Sequence, residues 1–378
     1  MVNRQELGVI HMAGPDVGAT EIEYVVDAVS NGWYGSSAYS YVEKFEEEFA
    51  AYHSRKYALM TPNCTTAIHL TLEGLGVTTG DQVIVPESTW IGSSAGITHA
   101  GADTVFADIE VATWCVSGRT VEREFSTKTR AVIAVDLYGN MPDWDSLEQI
   151  CSKKGIPVIE DAAEALGSEF RGRRAGSFGV ASVFSFHRTK TLSTGEGGMI
   201  LTDDTTLYER CRLLRDHGRK PGSYFNTEVA FKYMPFNVQA ALGYGQFLRI
   251  EDLIAKKRLI FQTYKSLLPD DGSIQLNLEN GLVRNGAWAT TVVFSRDTRM
   301  TTEQVMAKMA ERGVPTRPFF YPLSSLPAYS QNASGGAERH PVSYDLASRG
   351  IQLPCALNLT DRQLLHISKH LVAVLQGE

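Results

Sequence analysis

Cysteine is scarce in this chain, and the few residues present form no pattern. There are five, Cys64, Cys115, Cys151, Cys211 and Cys355, an odd number with no CxxC spacing. Neither a disulfide framework nor a zinc site is expected, no metal ligand set stands out, and a reducing cytoplasm fits. Long hydrophobic runs are also lacking. No stretch approaches the ~20 apolar residues that cross a bilayer, and the first residues show no basic stretch followed by an apolar core. A soluble protein without a membrane partner is expected. Basic blocks are missing too. Lys and Arg total 36 against 43 Asp and Glu, for a net charge of −7 spread along the chain. A nucleic-acid partner, which calls for clustered cations, is therefore not expected. Neither GxxxxGK nor GxGxxG occurs, so the glycine loops that commonly cradle nucleotides are excluded. There are no internal repeats.

What the chain does have is size and order. Its 378 residues, 43% hydrophobic and 21% charged, are enough for one large and one smaller domain with substantial cores. Strands are predicted at 57–60, 81–86, 103–109, 130–138 and 157–159. Helices at 19–30, 41–53, from about Ala67, and at 145–154 alternate with them. Alternation of this kind predicts an α/β fold whose largely parallel sheet is covered on both faces. Ligands on such sheets bind beyond the carboxyl ends of the strands. Further helices are expected after Asp203-Asp204, at 237–246 and at 302–312. A long one at 250–268, with Lys and Arg on one face, leads into a second unit. The division expected is 1–249 and 250–378, the latter a small α+β domain with a strand at 288–294. The segment 330–338 is flexible in composition.

One stretch carries chemistry. Ala181 to Ile200, ASVFSFHRTKTLSTGEGGMI, reads as a strand over 183–187, then Lys190, then a turn at Gly195, Gly197 and Gly198 before a strand restarts. A lysine between a buried strand and a glycine turn is a candidate amine nucleophile, although such lysines are commonly just solvated. Upstream, the strand Pro157-Val158-Ile159 ends in Glu160-Asp161, and 162–166 is predicted to open a helix. Asp161 can serve as its N-cap, or as a buried carboxylate that keeps a pyridinium nitrogen protonated.

With DAAEALGS and S-F-x-x-x-K-x-x-x-x-G-E-G-G in place, the chain resembles the aminotransferases that use pyridoxal 5'-phosphate (PLP) on nucleotide-linked keto-sugars, most nearly the perosamine-type 4-aminotransferases. The resemblance runs through nearly the whole chain. It implies the aspartate-aminotransferase-like fold type I, with a mixed sheet of about seven strands. It implies that Lys190 and Asp161 are catalytic. Cofactor contacts would come from Cys64, Thr65, Trp90, Asp161, Glu164, Ser185, Lys190 and, across a homodimer with shared active sites, Lys232 of the partner subunit. Trp33, Tyr34, His187, Arg317 and Tyr321 would face the sugar. The implied reaction moves an amine from glutamate to a 4-keto-6-deoxyhexose on GDP. A 3-keto-sugar on dTDP or UDP is the alternative. A sugar dehydratase of the same fold would carry histidine at position 190, and a non-catalytic sugar-binding protein would not need Lys190 and Asp161. Three positions depart from the family pattern: Lys232 replaces an asparagine, Met234 an arginine and Ser324 a histidine.

Overall fold

A computed structural model of the chain describes residues 7–329 and 336–377, so most of the segment with flexible composition lies outside the described residues. The strands are β1 (Tyr57–Thr61), β2 (Gln82–Pro86), β3 (Asp103–Ala107), β4 (Thr129–Val135), β5 (Val158–Asp161), β6 (Glu169–Phe170), β7 (Arg173–Arg174), β8 (Ala181–Ser185), β9 (Gly198–Thr202), β10 (Ile274–Leu276), β11 (Val283–Arg284), β12 (Thr291–Phe294), β13 (Arg317–Pro318) and β14 (Gly350–Gln352). Seven form the main sheet, in the order β1-β9-β8-β5-β4-β2-β3. Only β9 runs against its neighbours, β1 and β8, while β8, β5, β4, β2 and β3 are mutually parallel. β4, Thr-Arg-Ala-Val-Ile-Ala-Val, is buried at all but one position, as a central strand covered on both faces requires. The fold is the mixed, mostly parallel α/β architecture that the sequence predicts.

The helices follow their start and stop signals. Asn63 caps Cys64–Gly74 through its side-chain oxygen, which accepts from Thr66 N. Asp204 caps Thr205–Arg215 in the same way, and each such cap contributes about 1 kcal/mol. Gly155, at φ 66°, ends Trp144–Lys154.

A second sheet, β10-β12-β14-β13, is antiparallel throughout. Its core contains Val292, Phe294, Ile351, Leu364 and Ile367, together with Ile10 from the amino-terminal arm. The helix Ile250–Leu267 joins both cores, giving Ile250 and Ile254 to the first and Ile260 and Tyr264 to the second.

Four expectations are corrected. Residues 162–166 do not open a helix. They form two successive tight turns, Ala165 N to Ala162 O and Ser168 N to Ala165 O. Gly167 then takes φ +85°, outside the right-handed helical region, at a place where a Cβ would come within 2.7 Å of Ile254. The helix expected near Ala67 begins at Cys64, where Asn63 caps it. β4 stops at Val135, because Asp136 (ψ 70°) leaves the extended region and the single turn Leu137–Gly139 follows, with Tyr138 left-handed at φ 56°. On the helix Ile250–Leu267 the cations do not share one solvent face. Lys257 is 1% exposed, its ammonium donating to Trp288 O (3.1 Å) and Cys355 O (2.5 Å).

Candidate active site

Parallel strands deliver the candidate residues to one end of the main sheet. Asp161 closes β5 and is buried. Its Oδ2 accepts from Ser93 Oγ at 2.7 Å and its Oδ1 from Ala163 N at 3.1 Å, with Cys64 Sγ 4.0 Å from Oδ1. Lys190 lies five residues past β8. Its Nζ is 3.3 Å from Glu164 Oε1, and the two side chains are 13% and 6% exposed. Glu164 Oε2 accepts from Tyr138 N at 2.9 Å, so this carboxylate bridges two loops.

Beside this charged floor lies a place for an anion. The first N–H groups of a helix have no partner within it and favour negative charge. Asn63 engages Thr66 N and Ala67 N, which leaves those of Cys64 and Thr65 at the mouth of the helix. Gly198 packs directly against this mouth, where a Cβ would meet the Asn63 carbonyl and Cys64 N at 2.6–2.7 Å. Ser185 pairs with Gly198 in the β8–β9 register, which sets the serine beside the same helix end. Its Oγ accepts only a long bond, 3.3 Å, from His187 N.

Several determinants escaped the sequence reading. Trp288, read there as the start of a strand, precedes β12 and supports the lysine directly. Its ring centre is 3.9 Å from Lys190 Nζ, and its indole N–H donates to Thr189 O at 2.9 Å. A desolvated ammonium on a tryptophan face gains up to about 2 kcal/mol. The buried Lys257 holds the Trp288 carbonyl from behind. Tyr138 stacks near-parallel to Trp288 (6.2 Å, 9°) and to Phe320 (5.0 Å, 25°), and Phe320 lies 6.0 Å from Trp90. An aromatic ladder thus runs from Lys190 to the loop that follows Arg317. Ser93 is a further buried partner of Asp161. A Trp or Ser within an apolar stretch gives no local sign of such a role, because the contacts span 68 to 182 residues.

The remaining candidates lie on the rim. Trp90 is 62% exposed, at the start of the helix Ile91–His99. Arg317 opens β13 and Tyr321 is half exposed just beyond it. His187 Nδ1 meets Thr189 Oγ1 at 2.9 Å. Burial first, and then the neighbouring Lys190, Arg188 and Arg317, hold its imidazole below the usual range against the pull of Glu196. Trp33 and Tyr34 follow the helix Ala19–Asn31. Trp33 donates to Val29 O and sits 5.5 Å from Phe236, with no bond to the floor residues. Lys232 pairs with Asp216 of its own chain at 2.8 Å, and its neighbour Tyr233 reaches His69 Nδ1 at 3.0 Å.

Burial pushes the Asp161 carboxyl up, opposed by Ser93, Ala163 N–H and Lys190. Glu164 is likewise pushed up by burial and drawn down chiefly by Lys190. Hydrogen bonds or a nearby cation keep a buried carboxylate ionised, and the protonated ring nitrogen of a pyridoxal would be such a cation. A buried carboxylate, a desolvated amine and a helix mouth suited to phosphate fit PLP. Fold and site together define a fold-type I PLP enzyme.

The comparisons agree. The chain belongs to the DegT/DnrJ/EryC1/StrS aminotransferase family, whose model matches residues 15–372. It is 35% identical to the GDP-perosamine synthase of Escherichia coli O157:H7 over 354 residues, 93% of this chain and 95% of that protein. It is 36% identical to that of Vibrio cholerae, with the same coverage. Among solved structures it resembles the putative sugar aminotransferase Spr1654 from Streptococcus pneumoniae in its PMP form, with a TM-score of 0.91 and 26% identity, covering 97% of this chain and 98% of that one. The PLP form of the same protein gives 0.90. The protein is a PLP-dependent aminotransferase.

Proposed function

We infer that this aminotransferase transfers the amine of glutamate to a 4-keto-6-deoxyhexose carried on a nucleoside diphosphate, with GDP as the carrier, making an amino sugar for a surface polysaccharide or a glycosylated metabolite. The observation that carries this reading is the segment Arg317-Pro318-Phe319-Phe320-Tyr321-Pro322, joined through Phe320, Tyr138 and Trp288 to Lys190. The kinship with two GDP-perosamine synthases supports the same choice.

PLP, when bound, supplies an electron sink for the carbon that carries the amine. Lys190 Nζ is the amine that takes the cofactor and, once released, accepts and returns the substrate proton. Glu164 Oε1 and the Trp288 face steady that Nζ while it carries charge. Asp161 keeps the ring nitrogen protonated, and Ser93 and Ala163 N–H fix its carboxylate plane. The N–H groups of Cys64 and Thr65, with Ser185, receive the phosphate. Trp90 limits the cofactor's tilt. Trp33, Tyr34, His187, Arg317 and Tyr321 receive the sugar nucleotide.

In this reading residues 1–249 and 250–378 act as the large and small units, and the helix Ile250–Leu267 spans them. The enzyme is a homodimer in which Lys232 leaves Asp216 to reach the partner's cofactor phosphate. An exposed apolar row of Ile22, Val26, Val29, Trp33 and Phe236 supports such an interface. Five free thiols suit the cytoplasm. Incubation with glutamate and a panel of GDP-, dTDP- and UDP-linked 4-keto- and 3-keto-sugars tests the reaction. The 4-amino product from the GDP sugar is expected by mass and NMR. Amination of only a 3-keto-sugar or of another carrier's sugar overturns the assignment.

A further inference from the structure

The carboxyl group of Glu87 takes no part in the chemistry above, yet it is wholly buried just past β2 and three residues before Trp90. Its Oε1 accepts from both Ser324 N (2.9 Å) and Ser324 Oγ (2.5 Å), and its main-chain oxygen accepts from Leu323 N at 2.9 Å. His340 Nε2 stands 3.6 Å from Oε2, and Tyr344 OH lies 3.0 Å from Ser324 Oγ. One glutamate therefore fastens two consecutive residues of the segment that carries Arg317 and Tyr321. That segment is otherwise fixed to the main sheet by Phe320 N, donating to Tyr138 OH at 2.8 Å, and by the buried Phe319. Tyr321 lies between these two anchors with its side chain half exposed.

We propose that Glu87 is a positioning residue for the sugar acceptor: by clamping Leu323 and Ser324 it sets where Tyr321 and Arg317 stand relative to Trp90 and the floor of the site. Ser324 suits this role because its N–H and hydroxyl both reach one carboxylate oxygen. His340 Nε2, from a separate part of the chain, faces the other oxygen at 3.6 Å without a hydrogen bond to it. Burying a carboxyl is costly, and here the two bonds that Oε1 accepts from Ser324 offset part of that cost while Oε2 accepts none, so the clamp is unlike a casual surface contact. The proposal rests on the reading that Arg317 and Tyr321 receive the acceptor.

The two half-reactions separate the possibilities. With the holoenzyme, conversion of the cofactor by glutamate is followed by visible absorbance, and return of the amine is followed with the keto-sugar nucleotide. Glu87→Ala should leave the glutamate step within about twofold. It should raise the acceptor concentration for half-maximal rate tenfold or more and speed amide exchange at Ser324. Glu87→Gln keeps an oxygen for Ser324 and should stay within about threefold. Ser324→Ala, the safer variant if Glu87→Ala does not fold, should raise acceptor KM several-fold with the glutamate step unchanged. Equal loss in both half-reactions overturns the proposal. No loss in either does so too, provided Tyr321→Ala and Arg317→Ala do weaken the acceptor step. If those two variants leave acceptor KM unmoved, the reading of the loop falls and the proposal with it.

Discussion

The floor and the rim of the site are built differently. On the floor, Asp161 and Glu164 are buried and Lys190 is partly buried, and each is held by at least two groups. On the rim, Trp90, Tyr321, Trp33 and Tyr34 are largely exposed with few polar contacts. Charge placed in a desolvated site is strengthened but must be fully satisfied, so the chemistry is over-determined. The residues proposed for recognition, by contrast, sit on loops that can vary around a fixed scaffold.

Breaking the floor should give the largest effect. Lys190→Ala should abolish transamination in both directions, although the phosphate cradle can still retain PLP. Asp161→Asn should keep the cofactor bound and cut the rate by several orders of magnitude, because a neutral amide cannot hold the ring nitrogen protonated. Single-turnover absorbance with glutamate measures both, and near-normal rates in either variant would erase the distinction drawn here.

Next comes Lys232, a rim residue assigned to the floor of the other subunit. Lys232→Ala should weaken PLP retention by about ten- to a hundredfold, the range of one charge-assisted hydrogen bond. Mixing Lys190→Ala with Lys232→Glu subunits should return activity towards a quarter of wild type, since one site in each mixed dimer is free of both changes. Formation of heterodimers without recovery would confine Lys232 to its own chain.

The smallest effect on turnover belongs to a buried group with no part in the chemistry. His53 Nδ1 donates to Ala175 O (2.8 Å), and the ring is enclosed by Phe49 and Phe184. Burial lowers its imidazole to about 3 from 6.5. Between these values the unfolded chain binds a proton that the folded chain refuses. Its contribution is therefore intact above pH 6.5 and lost as pH falls through that window, at up to about 1.4 kcal/mol per pH unit. His53→Asn should flatten the stability curve between pH 6.5 and 4 in urea titrations, without moving the pH profile of either half-reaction.

Much of this was legible in advance. The alternation of strands and helices, the helix that follows Asp203-Asp204, and the placement of Asp161 and Lys190 after strands all follow from local pattern. Side-chain period, capping chemistry and glycine turns act over a few residues, and the sequence displays them directly. By itself it therefore determined the α/β sheet, the candidate pair Asp161 and Lys190, and the family resemblance. Only the tertiary structure decided that 162–166 turns instead of coiling, that Lys257 points inward, and that Trp288, Tyr138 and Glu87 brace Lys190 and the Tyr321 segment. Those outcomes depend on groups 26 to 237 residues apart meeting in a dry interior. There the cost of an unsatisfied polar atom, which no local pattern records, selects one arrangement.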